Sequence, residues 1–257
     1  MGNATAANAV LSVDTPGASA QEAGPEQSVA SLPRHGAWPL SAGEVNFLWW
    51  FMQGSIMHPE TRKALRAAWG LCDRHGAAWL AIEATLRHCY FHGPAIVFAE
   101  LMAAASHALR KSGTMTAWRI SRALRARGAC PICGAGIGPS SPGFVPGRRL
   151  ELGRDRAALR EFMNETGAHW RDGICGLCEG SRAPARCRAH LLEDLAGDPL
   201  IRLAPHREFV KEISTRLGRF EHSFRWERRG TLKASDKAAL ISAVGWCCGW
   251  RALLEPR

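Results

Sequence analysis

The chain has 257 residues, enough for one large or two small domains, and 46 % of them are hydrophobic, an ordinary share for a packed core. Its charge is not ordinary: the formal net charge is +10, with 28 Arg against 5 Lys. That excess turns attention to nucleic acid or another polyanion, because guanidinium keeps its charge at any working pH and forks onto phosphate. It also has a neutral origin, a coding bias that writes Arg where other chains write Lys.

Residues 1–36 are rich in Ala, Gly, Ser, Glu and Pro without periodicity, and read as a disordered tail. The stretch after Met1 lacks a basic segment followed by an apolar one, so it does not resemble a secretory signal. MGNATA comes near a myristoylation pattern, which is taken as coincidence. No run of about 18 apolar residues predicts a membrane span. The expectation is an intracellular, cytoplasmic protein, where cysteines serve metal or redox chemistry rather than disulfides.

Order is expected from Ser41. Ser41 and Glu44 form an S-x-x-E capping box ahead of Phe47–Met52. Pro59 can open a second helix running to Trp69, and a third begins near Asp73 with Trp79, Leu80, Ile82 and Leu86 inward. Gly93-Pro94 breaks it and starts a fourth. A fifth, basic helix spans about Thr116 to Arg127. Residues 128–153 (GACPICGAGIGPSSPGFVPGRR and onward) read as loop with a metal-type motif at the start. Helical pattern returns over Asp155–Thr166, and a Cys-rich knot follows from Cys175 to His190. Leu191, Leu192 and Leu195 continue one helical face, and Phe209, Ile213 and Leu217 mark another helix. Ser235 can cap a last one reaching Leu253. Only FRWE around Phe224 looks like a strand. The fold class is therefore mainly α: a helical protein with two Cys-rich, zinc-knuckle-like connectors. The expected division is a tail over 1–36, a helical domain over 37–128, and a Cys-rich and helical domain over 129–257.

Four pairs share one spacing: Cys72-x-x-His75, Cys130-x-x-Cys133, Cys175-x-x-Cys178 and Cys187-x-x-His190. Two intervening residues let both side chains face one ion from a turn or a helical turn, and zinc takes four such ligands as a tetrahedron. Four pairs complete two sites. The Cys-x-x-Cys pairs lie among Gly and Pro, as knuckles do. The Cys-x-x-His pairs precede apolar residues at helical spacing, so each can occupy a first helical turn. The favoured pairing joins Cys175 and Cys178 to Cys187 and His190, leaving Cys72 and His75 to meet Cys130 and Cys133. A second pairing joins Cys130 and Cys133 to Cys187 and His190. The bland alternative for Cys72 and His75 is a buried thiol and a satisfied core histidine. Cys89, Cys247 and Cys248 read as core residues, with His88 and His92 lacking a partner pair. An iron–sulfur cluster on Cys130, Cys133, Cys175 and Cys178 is the chemical rival to zinc; thiol–disulfide exchange is another.

CPICG, WGLCDRH and ARCRAHLLEDL together resemble uncharacterised bacterial proteins built from repeated Cys-Pro-x-Cys and Gly-(Leu/Phe)-Cys-x-x-His units. HPETRKALRAAWGLCDRHG and RLGRFEHSFRWERRG are similar to further segments of those proteins. They carry a Cys-Pro-x-Cys near the N-terminus, whereas residues 1–71 here contain no Cys. That departure either leaves Cys72 and His75 without a complete site or makes them borrow Cys130 and Cys133, and the resemblance implies no activity.

Three functions follow. The first is a zinc-stabilised binding or regulatory protein contacting nucleic acid through Arg119, Arg122, Arg125 and Arg186; Arg127, Arg148, Arg149, Arg182 and Arg188 add to the basic clusters. Such a row of arginines is also what an ordinary solvated helix face looks like. The second is a metal enzyme with an open zinc position, with Glu83 and Glu100 nearby but nothing setting either as a base. The third is a thiol-based redox or metal sensor.

Overall fold

The computed structural model describes residues 38–86, 90–112, 115–225, 227 and 230–255. The expected tail, His88 and Cys89 lie outside them. The described residues pack as one compact unit. Among the described residues all regular structure is helical. Phe224 lies in a turn rather than a strand, and its ring packs on Phe220 and His92.

Helix α1 (Ala42–Met52) opens on the capping box read from sequence. The Glu44 N–H donates to Ser41 Oγ at 3.1 Å, and the Ser41 N–H donates back to the Glu44 carboxylate at 2.7 Å. Helix α2 (Pro59–Ala68) starts at its proline, as expected. It ends on Trp69, held at φ 59° and followed by Gly70 at φ 99°. Helix α3 (Asp73–Ala84) is the centre of the molecule, and His75 through Ala84 are all buried. It lies against α1, α7 (Gly147–Arg154), α8 (Ala157–Thr166), α12 (Ala234–Cys248) and α13 (Arg251–Leu254). Its middle, Gly76 to Ile82, is apolar on every side, which suits a helix in such a place.

Helix α4 (His92–Leu109) packs along α11 (Ala204–His222), and α11 along α12, making the long-helix layer. Short helix α5 (Thr116–Leu124) lies between α4 and α10 (Arg188–Gly197), buries Ile120 and Leu124, and stops short of Arg127. The interior is filled by large rings: Trp79, Trp246, Trp250, Phe51, Phe91 and Phe98 are essentially inaccessible. Cys247 is core, as expected, with its thiol 3.8 Å from Met102 Sδ.

Three local expectations are corrected. Residues 128–153 are not all loop: α6 (Pro131–Gly134) and α7 interrupt them. Gly147 and Gly153 hide α7 from a pattern reading. Gly153 in fact permits close packing, since a Cβ there would meet the Val45 side chain at 2.7 Å. The last helix is bounded by Lys233, whose N–H reaches Asp236, so Ser235 lies inside it. It also breaks at Gly249, φ 119°, before α13.

Gly245, inside α12, gives a sharp test. A Cβ there would sit 2.3 Å from the buried Trp250 indole. Intrinsic helix propensity favours Ala over Gly by about 1 kcal/mol. Overpacking a rigid ring costs about 1–3 kcal/mol. Gly245→Ala is therefore expected to lower the urea midpoint; an unchanged or raised midpoint would mean that Trp250 yields freely.

Candidate metal centre

The two Cys-x-x-His segments adopt one local structure. Cys72 is the N-cap of α3 at φ −71°, ψ 169°; Cys187 is the N-cap of α10 at φ −73°, ψ 170°. The Cys72 carbonyl accepts from the Gly76 N–H and the Cys187 carbonyl from the Leu191 N–H, each at 2.8 Å. The histidine follows at the third helical position, so imidazole and sulfur share one face. The His75 and His190 N–H groups at these helix starts favour thiolate at the cap, but the neighbouring sulfurs and burial outweigh them and leave both cap thiols raised.

The two Cys-x-x-Cys segments also match each other. Cys130 and Cys175 each precede a single helical turn, α6 and α9 (Gly176–Glu179). Each turn is followed by a glycine at positive φ, Gly136 at 74° and Gly180 at 78°. Ile132 anchors the first knuckle with no exposure. In the second, a Cβ on Gly176 would strike the Ala183 carbonyl oxygen at 2.3 Å, so only glycine allows the loop to fold back.

The eight side chains converge in two groups of four, Cys72/His75/Cys130/Cys133 and Cys175/Cys178/Cys187/His190, with the ligating atoms of each group within 4.8 Å of one another. This is the neighbour pairing favoured from sequence. In the first group His75 Nδ1 lies 3.2, 3.6 and 3.3 Å from the sulfurs of Cys72, Cys130 and Cys133, and Cys72 Sγ lies 3.7 Å from Cys133 Sγ. In the second, His190 Nδ1 lies 3.1, 3.5 and 3.2 Å from Cys175, Cys178 and Cys187, and Cys178 Sγ lies 3.8 Å from Cys187 Sγ. A tetrahedral ion with metal–sulfur bonds of about 2.3 Å and a metal–nitrogen bond of about 2.0 Å has edges of about 3.8 Å (S···S) and 3.5 Å (S···N). Both groups match those edges, and both can hold a metal ion.

The crowded sulfurs compete for protons within each group. Hydrogen bonds from Cys133 and then Cys72 hold Cys130 far down as a thiolate, while hydrogen bonding to Cys130 and Cys133 pushes Cys72 up. Cys175 and Cys178 divide in the same way. Burial works against a charge on His75, but the neighbouring Cys130, Cys133 and Glu44 outweigh it and raise its pKa to about 11. A dication held there would remove the conflict by letting all three sulfurs ionise.

The centres differ behind the histidine. His75 is 1 % exposed, and its Nε2 lies 3.2 Å from Glu44 Oε1, a close but poorly aligned contact. Glu44 itself is fully buried. The Arg74 guanidinium grips it with Nε at 2.5 Å and Nη2 at 2.8 Å, and also donates to the Pro39 carbonyl. Burial alone would raise the Glu44 pKa; Arg74, His75 and the Ser41 N–H bring it down to about 2. A carboxylate behind a ligating imidazole fixes its tautomer and orientation. Ser41 Oγ also donates to the Gly138 carbonyl, tying α1 to the first knuckle. His190 is half-buried. Behind the second group stands Trp250, whose backbone N–H faces Cys178 Sγ and whose ring stacks on Trp170 at 5.9 Å.

The remaining candidates are placed as follows. Arg119, Arg122 and Arg125 are exposed on and just beyond α5. Arg186 is engaged locally: it pairs with Asp194 at 2.8 Å and donates to the Ala183 and Ala185 carbonyls. Glu100 is held between Arg62 and Arg66. Glu83 is buried, which pushes its pKa up to about 7. Sequence reading missed the second task of Glu44; the S-x-x-E signal gave its cap but not its place behind His75. Among the described residues no helix is long and apolar enough to cross a membrane. Comparison with known protein families, characterised proteins and solved structures gives no match.

Proposed function

We propose that this chain is a zinc-stabilised binding protein. Two closed Cys3His zinc sites tie its connectors to its helices, and a basic surface contacts nucleic acid or a similar polyanion. The observation that carries the zinc reading is the pair of four-ligand groups with tetrahedral edges. The donor set favours zinc, because three thiolate sulfurs and one imidazole nitrogen are a common structural zinc shell. The rival iron–sulfur set, Cys130, Cys133, Cys175 and Cys178, is divided between the two groups, so those four thiolates do not face one cluster.

A full shell of four protein ligands supports a structural ion rather than a catalytic one, since a catalytic zinc keeps a position for water or substrate. Each ion would stabilise a connector that has little core of its own. The sensor reading draws support from the exposure of Cys133, which opens one edge of the first group to oxidants.

Elemental analysis of purified protein, with its visible spectrum, tests the proposal. Colourless protein with two zincs per chain is the expected result for two such groups. A brown sample containing iron, or less than one zinc per chain, overturns it.

A further inference from the structure

Among the described residues, a wide cavity lies beside α5, outside both metal centres. It is an open hollow of about 690 Å³, and its polar rim is made by Arg110, Lys111, Ser112, Arg119, Arg122 and Arg127, with Trp118 as its one aromatic wall. That volume falls in the range of small-ligand sites, about 300–1,000 Å³. No carboxylate lines it. Among the described residues, none of its five cations is ion-paired.

The fold also removes the negative charge that two helix ends would bring here. The C-termini of α4 and α5 both approach this region, and free carbonyls there would repel an anion. Arg207 donates to the Leu109 and Lys111 carbonyls at 2.8 and 3.1 Å, and Arg188 donates to the Leu124 carbonyl at 3.0 Å. Both helix ends are thereby capped by cations from other parts of the chain.

Trp118 decides what kind of polyanion fits. It is 53 % exposed; Trp50 is as open at 58 % but does not line the cavity, and the Arg122 guanidinium lies over the Trp118 ring at 5.4 Å. With Arg122 over one face, the remaining face of this half-exposed indole, set among guanidinium groups without carboxylate partners, offers a base a stacking surface and its neighbouring phosphates their counter-charges. A membrane surface has no use for a concave site with one ring, and an acidic peptide has no use for the stacking face.

We propose that this cavity binds a single-stranded nucleic acid, with a base stacked on Trp118 and flanking phosphates on Arg119, Arg122, Arg110 and Lys111. The proposal rests on the polyanion half of the proposed function and specifies its site and its class of ligand.

The test uses the full zinc-loaded chain and a fluorescent oligothymidylate, followed by anisotropy. Inorganic polyphosphate, poly-glutamate, duplex DNA and phosphatidylserine vesicles serve as competitors. The strand is expected to bind with a log–log salt slope of about −2 to −3, as three or four phosphate contacts require. Trp118→Ala should weaken the strand by about tenfold, the scale of one lost base stack, while leaving polyphosphate affinity unchanged. Trp118→Phe should restore most of the loss. Arg119→Ala with Arg122→Ala should weaken both ligands. All these residues are exposed, so metal content and melting temperature should stay at the unsubstituted values. Unchanged strand affinity in Trp118→Ala overturns the site, as does stronger competition by vesicles or poly-glutamate than by strand. If the strand binds but ignores the double Arg substitution, this cavity is wrong and the polyanion reading stands. If no polyanion binds at low salt, both fall, and the zinc reading is untouched.

Discussion

Chelating the metal from both centres is expected to lower the melting temperature by roughly 20 °C or more and to cost helical signal. The reason lies in how little else holds the connectors. Helices α6 and α9 have four residues each, far below the length at which a helix sustains itself. Residues 125–131 bury only Cys130, and residues 179–186 bury no side chain. Their backbones are tethered at few points, among them the Arg127 N–H on the Ala67 carbonyl and the Gly176 N–H on the Ala185 carbonyl. Structural zinc contributes about 10–16 kcal/mol of binding free energy, comparable to the whole stability of a domain. The loss should propagate, because Cys72 and Cys187 begin α3 and α10, and α3 is the central helix. Scanning calorimetry with and without a strong chelator measures the effect. A metal-free chain melting within a few degrees of the loaded one would mean that packing alone holds the connectors.

Glu44→Ala is expected to destabilise the chain by about 3–5 kcal/mol, the cost of stripping one partner from a buried pair. It leaves the Arg74 guanidinium without its fork, the Ser41 N–H without its acceptor and His75 Nε2 without its carboxylate. Metal affinity at the first centre should drop by about 10–100-fold, the usual effect of losing the group behind a ligating histidine. The second centre should hold its ion unchanged. Glu44→Gln keeps the volume and one acceptor and should fall between. Competition with a chromogenic zinc chelator reads both sites: one ion should leave early and one late. Two ions still leaving together would mean that Glu44 serves only as a cap. Glu100→Gln, on the partly exposed pair with Arg62 and Arg66, is the control for losing a carboxylate.

Much of this was legible in the chain. Capping signals placed α1 through Ser41 and Glu44, Pro59 placed α2, and Gly93-Pro94 placed the start of α4. The common two-residue spacing of the half-sites, with apolar helical patterns after Cys72-x-x-His75 and Cys187-x-x-His190, carried the grouping of the sulfurs. These signals are local, and local geometry obeys local rules. What escaped reading depends on contacts far apart in sequence. Glu44 reaches His75 only because α1 lies on α3. Arg186 and Arg188 look like parts of a basic surface in one dimension. Folding turns one toward Asp194 and the other toward the carbonyls of Leu124 and Cys247. Helix α7 was hidden by its glycines, of which Gly153 serves packing against Val45 rather than a turn. Trp118 stood among ten tryptophans with nothing in the sequence to mark it as one of the exposed ones.

X-ray absorption at the zinc edge of the purified chain tests most directly whether both groups close around zinc. The expected result is an average shell of three sulfurs at about 2.3 Å and one nitrogen at about 2.0 Å, the same at both centres. An oxygen-rich shell, a shell of two sulfurs, or an iron edge in place of zinc would contradict it.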